Sequence, residues 1–325
     1  MMKIGALARG LATYVPGMAA LHRRVTRTGG TDSARYCYAV WLRHLVMGHQ
    51  SGESTRPPFR VAELGPGDSI GIGLAALLCG ADRYYGLDAL PLANLRRNLG
   101  VFDELVELFR ARTPIPGDAE FPGVRPKLRS YEYPDALLTR PDESRIARIR
   151  RSIEDPVNPD SMIRYIAPWW SPEVVEPGGV NMIFSQAVLE HMDNLETAYS
   201  SMRAWLAPGG WLSHQIDFRS HGTAREWNGH WSYGDRTWRL LRGRREFLIN
   251  REPLSTHLRL LREAGFTVVY QEVTNGPALG RRQLAPRFAS ISDGDLTTSG
   301  AFILANLCET SRRESIAEAS RQDRR

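Results

Sequence analysis

Two groups of residues in this chain are of the types and spacing that do chemistry. The first is a glycine-rich turn, Glu63-Leu-Gly65-Pro-Gly67-Asp68-Ser69-Ile-Gly71. It stands between an apolar run that reads as a buried strand and a small-residue run that reads as a helix. Glycines there let backbone approach a ligand, and the helix N-terminus offers free N–H groups. Asp88, with Ala89 beside it, follows Gly67 by 21 residues at the end of the next strand. A carboxylate in that place can hold both hydroxyls of a ribose. The second group is rich in histidine: His191, then His214, Asp217, His221 and His230. Imidazoles near a carboxylate can move a proton to or from a reacting atom.

The turn constrains which nucleotide it serves. It reads G-x-G-x-x-x-G, with Ile70 where the dinucleotide fingerprint needs a glycine, and no G-x-x-x-x-G-K-[ST] sequence exists for a P-loop. Glu63 beside a diphosphate would repel it in a poorly screened site. S-adenosylmethionine carries an ammonium and a sulfonium and no phosphate, so Glu63 and Asp68 then become favourable. With these residues the chain resembles the class I S-adenosylmethionine-dependent methyltransferases. Glu63 to Gly67 is similar to their first motif, Gly86-Leu-Asp88 to their ribose-binding acid, and Phe184 to His191 to their fourth strand and its loop. Leu206-Ala-Pro-Gly-Gly-Trp211 resembles the turn into their fifth strand. The resemblance covers residues 59–218, and 266–307 more loosely. It implies S-adenosyl-L-methionine as cofactor, held by Glu63, Gly65, Gly67, Ser69, Asp88, Ala89, Trp169 and Gln186. Ser69 replaces a common third glycine, and Trp169 stands where an acid for the adenine is usual.

The elements that must position these residues alternate strand and helix, which argues for a doubly wound, mostly parallel seven-stranded sheet with helices on both faces. Strands are expected at 59–64, 83–88, 163–167, 180–184, 211–218, 266–273 and 301–307. Helices are expected at 71–80, 90–99, 195–206 and 255–264. Residues 1–58 read as a helical lead-in, with Tyr38, Trp41, Leu42 and Leu45 as its apolar stripe. Residues 59–308 form the methyltransferase domain, with insertions at 101–160 and 219–250. The first insertion is rich in proline, carries an arginine-studded helix at 142–153, and reads as a lid. Residues 309–325 read as a polar tail.

The acceptor is less constrained. No [ND]-P-P-[YF] sequence follows the fourth strand, so the common amino-methylating motif of nucleic-acid enzymes is missing. The expected reaction is O-methylation of a small molecule or glycan by in-line transfer, with His191 or His221 as base and Asp217 as orienter. The plain structural alternatives are a packing or capping His191 and a core His214. A metal on Asp217, His221 and His230 matches no strict ligand spacing and is not expected. Trp227, His230, Trp231 and Arg225 suit a sugar ring or planar substrate, unless the tryptophans pack downward. A catalytically silent cofactor-binding scaffold and a nucleic-acid methyltransferase are the alternative functions.

Composition adds exclusions. The net charge is +6, but 36 acidic residues are spread among 42 basic ones, without the single basic stripe of a nucleic-acid binder. Lys3 and Lys127 are the only lysines, an arginine bias that fits a GC-rich coding sequence. Cys37, Cys79 and Cys308 lie far apart, as expected of reduced thiols in a cytoplasm. No apolar run reaches the roughly 18–20 residues of a transmembrane helix. The apolar stretch at 4–18 reads as an amphipathic helix packed on the body, with weak contact to an anionic membrane surface as the alternative.

Overall fold

The apolar runs form strands and the small-residue and amphipathic runs form helices, in a computed structural model that describes residues 4–15, 29–53, 59–169 and 171–308. The expected tail at 309–325 lies outside the described residues. The strands are β1 (Phe59–Leu64), β2 (Ala81–Leu87), β3 (Ile163–Ile166), β4 (Val180–Gln186), β5 (Leu206–Asp217), β6 (Phe266–Asn275) and β7 (Thr298–Leu307). They lie in the order β3-β2-β1-β4-β5-β7-β6. All pairs are parallel except those of β7, which runs antiparallel to both neighbours. Strand order reverses between β1 and β4, and crevices at such a point are where doubly wound sheets take ligands. The turn at Pro208 to Gly210 is a bulge in β5, because Val180 pairs with Leu206 while Met182 pairs with Trp211.

The helices are α1 (Ile4–Ala12), α2 (Ala34–Gln50), α3 (Gly71–Leu78), α4 (Leu95–Arg110), α5 (Glu143–Glu154), α6 (Leu195–Trp205), α7 (Asp235–Arg242), α8 (Leu254–Glu263) and α9 (Asp293–Thr297). One sheet face, with Val61, Tyr84, Met182, Phe184 and Phe302, packs on α2, α3, α4 and α5. The other, with Ala62, Leu64, Leu87, Ile183 and Ile216, packs on α6 and α8. No helix among the described residues is long and apolar enough to cross a membrane.

Helix α2 is buried on every side, not along one stripe, from Cys37 to Gly48. Its inner side meets the sheet, where His44 Nδ1 lies 2.6 Å from Ser213 Oγ and Nε2 lies 3.0 Å from Gln186 Oε1. Its outer side is covered by residues 113–131, which corrects the expectation of a lid. Arg43, with no exposed surface, donates to the carbonyls of Pro116 (2.7 Å), Val124 (2.9 Å) and Pro126 (3.4 Å) and to Asp118 Oδ1 (3.1 Å). Its guanidinium also stacks on Tyr131, 5.0 Å from the ring centre. A segment held by a buried arginine at four points is wall, not gate.

The same expected insertion begins with helix. Helix α4 runs to Arg110 because Val101, Phe102, Leu105, Val106 and Phe109 keep the apolar period that the expected end at 99 cut short. Helix α5 falls where expected, capped by Asp142, and its Arg145 turns inward to the carbonyls of Leu77 (2.8 Å) and Ala81 (2.5 Å). In the second insertion, α7 carries Trp238 and Leu241 onto α1, where Ala6 is buried with them. Gly10 of α1 sits so close to the carbonyls of Leu240 and Leu241 that a Cβ would lie 2.3 Å from each oxygen. The N-terminal helix is therefore packed on the body, although residues 16–28 lie outside the described set.

Two predictions follow from this packing. Arg43→Met leaves three carbonyls without their donor and should cost about 2–4 kcal/mol in urea denaturation, with new proteolytic cleavage at 111–126. Burial lowers His44 to about 4, and His214 and His257 to about 3. These histidines are neutral in the fold but protonate near 6.5 when unfolded, so the unfolded chain binds more protons below 6.5. Calorimetry should show full stability above pH 6.5 and a falling Tm between pH 6.5 and 4; His257→Gln should flatten that slope.

Candidate active site

Backbone geometry builds the glycine turn. Gly65 and Gly67 take φ of +63° and +73°, a region that suits glycine. A Cβ on Gly65 would stand 2.7 Å from the Val188 side chain of the β4 loop, which packs directly on the glycine backbone. The Gly67 N–H donates to Asp88 Oδ2 at 3.0 Å, and Ala89 N–H to Asp88 Oδ1 at 2.7 Å. Burial pushes the Asp88 carboxyl up despite those donors. Glu63 is buried at the end of β1 and accepts from the Tyr84 hydroxyl at 2.6 Å. Burial outweighs that bond and pushes Glu63 up to about 8.

The turn is also held from behind. The Ser69 hydroxyl donates to the Thr31 carbonyl and accepts from Gly71 N–H at 3.0 Å, while Ser69 N–H donates to Thr31 Oγ1 at 3.2 Å. Ser69 is thus a tie between the turn and the lead-in, which corrects its assignment as a cofactor contact. From α4, Asn98 accepts from Ile70 N–H and Arg97 donates to the Asp68 carbonyl.

One step along the same sheet edge, the ends of β4 and β5 bring His191, Asp217 and His221 of the second group together. Ala187 and His221 follow these strands with φ of +55° and +44°, strained for residues with a side chain. The His191 and His221 rings meet edge to face, centres 4.9 Å apart. His221 Nε2 lies 3.5 Å from Asp217 Oδ2. Arg219 donates to both Asp217 oxygens, through Nε at 2.8 and 3.0 Å and a terminal nitrogen at 2.6 Å. Burial alone would raise the Asp217 carboxyl, but the bonds from His221 and Arg219 hold it well below the usual range. Burial lowers His191 to about 4, and His221 adds to that.

Sequence reasoning missed Glu190, which is 2% exposed and has no hydrogen bond of ordinary geometry to either oxygen. A carboxylate directly after an apolar strand, next to a histidine, was the available signal. It lines a small cavity with Asp217, Arg219, His230, Asn250 and Arg251.

Other expected site residues lie elsewhere. Trp169 is 6% exposed and packs edge-on against Trp205 in the core, a placement that does not support the expected cofactor contact. Gln186 faces the interior network, accepting from His44 and donating to Gln215 Oε1. Trp231 is fully buried, donates to the Arg251 carbonyl at 2.9 Å and packs near Phe288. His230 is 1% exposed, and burial with Arg251 nearby lowers it to about 3. Trp231 is thus turned into the core, while His230 lines the small cavity beside Glu190. Trp227 is half-buried against Trp231, and Arg225 is exposed. His214 is a core histidine bonded to Ser185 Oγ at 2.8 Å, on the opposite face from Ser213, as strand alternation requires.

Known proteins place this geometry. The profile of a methyltransferase-domain family, Methyltransf_23, matches residues 53–271. The chain belongs to this family of methyltransferase domains, and its seven-stranded sheet has the doubly wound order described above. No curated protein matches it. Among solved structures it is similar to the Haemonchus contortus phosphoethanolamine N-methyltransferase 2 in complex with S-adenosyl-L-methionine (15% identity, TM-score 0.42). That match covers 87% of this chain and 58% of the other. A Mesorhizobium loti S-adenosylmethionine-dependent methyltransferase gives 14% and 0.40, covering 81% and 97%. The Streptomyces coelicolor geranyl diphosphate C-methyltransferase gives 12% and 0.43, covering 82% and 78%. The chain thus spans little more than half the length of the nematode enzyme. Likenesses this distant assign neither substrate nor mechanism.

The residues present fit the cofactor: a turn with Gly65 and Gly67 at positive φ, and a buried acid after β2 that is held by the N–H groups of Gly67 and Ala89. Asp88→Ala should weaken S-adenosylmethionine binding by about 1–3 kcal/mol in calorimetric titration, through lost hydroxyl hydrogen bonds.

Proposed function

We propose that this enzyme methylates a hydroxyl of a small molecule, with the proton taken at the His191–His221–Asp217 cluster. The observation that carries the reading is the placement of that cluster. It stands at the carboxyl ends of β4 and β5, and β4 is the neighbour of β1, whose end carries the glycine turn. When bound, the cofactor supplies an already activated methyl group on a sulfonium. The protein must align the acceptor and accept its proton. Asp217, fixed by Arg219, lies 3.5 Å from His221 Nε2 and orients the ring toward the acceptor. His191 packs edge-on against His221 and limits its rotation. The acceptor oxygen gains the methyl carbon as the carbon–sulfur bond breaks, and S-adenosylhomocysteine leaves.

The glycan version of this reading loses support, because its aromatic wall was to include Trp231 and that ring is fully buried. Arg219, with 62% of its side chain exposed beside Asp217, supports acceptors that carry an anionic group. The test is a panel of polyketide, sugar and phosphosugar hydroxyls, read by S-adenosylhomocysteine release. His221→Ala should lower turnover by about 10²–10⁴-fold with cofactor affinity unchanged. Unchanged turnover with the best acceptor would remove His221 as the base.

A further inference from the structure

Glu190, His191 and His221 can each turn one donor atom into a space where all three atoms lie within 4.8 Å of one another. We propose that these three side chains hold a divalent transition-metal ion, of which zinc is the natural match.

Three independent features support the site. The first is Glu190, a carboxylate almost wholly removed from solvent, with neither oxygen hydrogen-bonded in ordinary geometry. Burying such a group without a partner is costly, and a cation is a partner that satisfies both oxygens. The second is the way the histidines are held. The buried Nδ1 of His191 has no hydrogen-bond partner. His221 turns Nε2 toward Asp217. The carboxylate behind the His221 ring orients it and leaves its other nitrogen for a metal, a usual support of ligating histidines. The third is charge. Arg219 bonds both oxygens of Asp217 and neither of Glu190, so the buried Glu190 carboxyl has no hydrogen-bonded cation.

Two imidazoles and one carboxylate are a zinc-type donor set, and three protein ligands leave a fourth position open. His221 keeps 28% of its side chain exposed, so the open side faces solvent at the sheet edge. A hydroxyl bound there would lose its proton more easily, as metal-bound water does. This role rests on the proposed function, whereas binding of the ion does not. With the ion in place His221 is a ligand, and the cation takes over from it the acidification of the acceptor.

The test needs no acceptor. Full-length protein stripped with a chelator is titrated with Zn²⁺ by calorimetry, and with Co²⁺ by visible absorption. The expected result is one equivalent bound in four-coordinate geometry, with affinity at least about tenfold weaker in Glu190→Gln and in His191→Ala. Mg²⁺ should not compete. Glu190→Gln keeps the side-chain volume, and S-adenosylmethionine binding with far-UV circular dichroism verifies that each variant is folded. No saturable binding, or equal affinity in wild type and Glu190→Gln, overturns the site. If methyl transfer persists in that case, only the metal inference falls. If zinc binds but no hydroxyl is methylated, the acceptor reading falls and the site stands.

Discussion

A charged side chain with no access to water must find all its partners inside the protein, and Arg43 sets that constraint here. It sits on a helix pressed flat against the sheet, so its guanidinium can be satisfied only from the outer side. The chain supplies three carbonyls, one carboxylate and an aromatic face from residues 116–131. This makes the first insertion a second layer over α2, not a lid. Arg125 extends the layer to the far strands, through its N–H to Gln215 Oε1 at 2.7 Å and its ion pair with Glu272 at 3.2 Å. Gln215 in turn meets Gln186 and, through it, His44. The wall, the buried helix and the ends of β4 and β5 thus form one connected polar network.

What was legible in the sequence was local. The glycine turn, Asp88 and the strand–helix alternation announce themselves within a few residues, and their signals are backbone conformation and apolar period. The sharing of one face by Ser213, Gln215 and Asp217 also follows from strand alternation alone. Asp217 and His221 could be paired because they lie near the end of one strand.

What was not legible depends on partners distant in sequence. Trp231 has the composition of a sugar platform, yet Phe288 and Arg251 close around it from segments 20 or more residues away. Ser69 reads as part of the cofactor loop, but its partner is Thr31, 38 residues earlier. Glu190 drew no notice in the sequence, because the residues around it, 217–219, His230 and 249–252, come from later segments. Chemistry-bearing residue types therefore identified the neighbourhood, while burial decided which of them face a ligand.

The tie between Ser69 and Thr31 bears on where this protein begins as a folding unit. The family match starts at residue 53, as though everything before it were an accessory. Yet α2 covers Phe184, Trp211 and Phe302 on the sheet, and Thr31 anchors the turn that meets the cofactor. A chain cut at the family boundary would bare an apolar sheet face and leave the glycine turn without its rear support. Transplanting or minimising this catalytic unit therefore means carrying the first fifty residues with it.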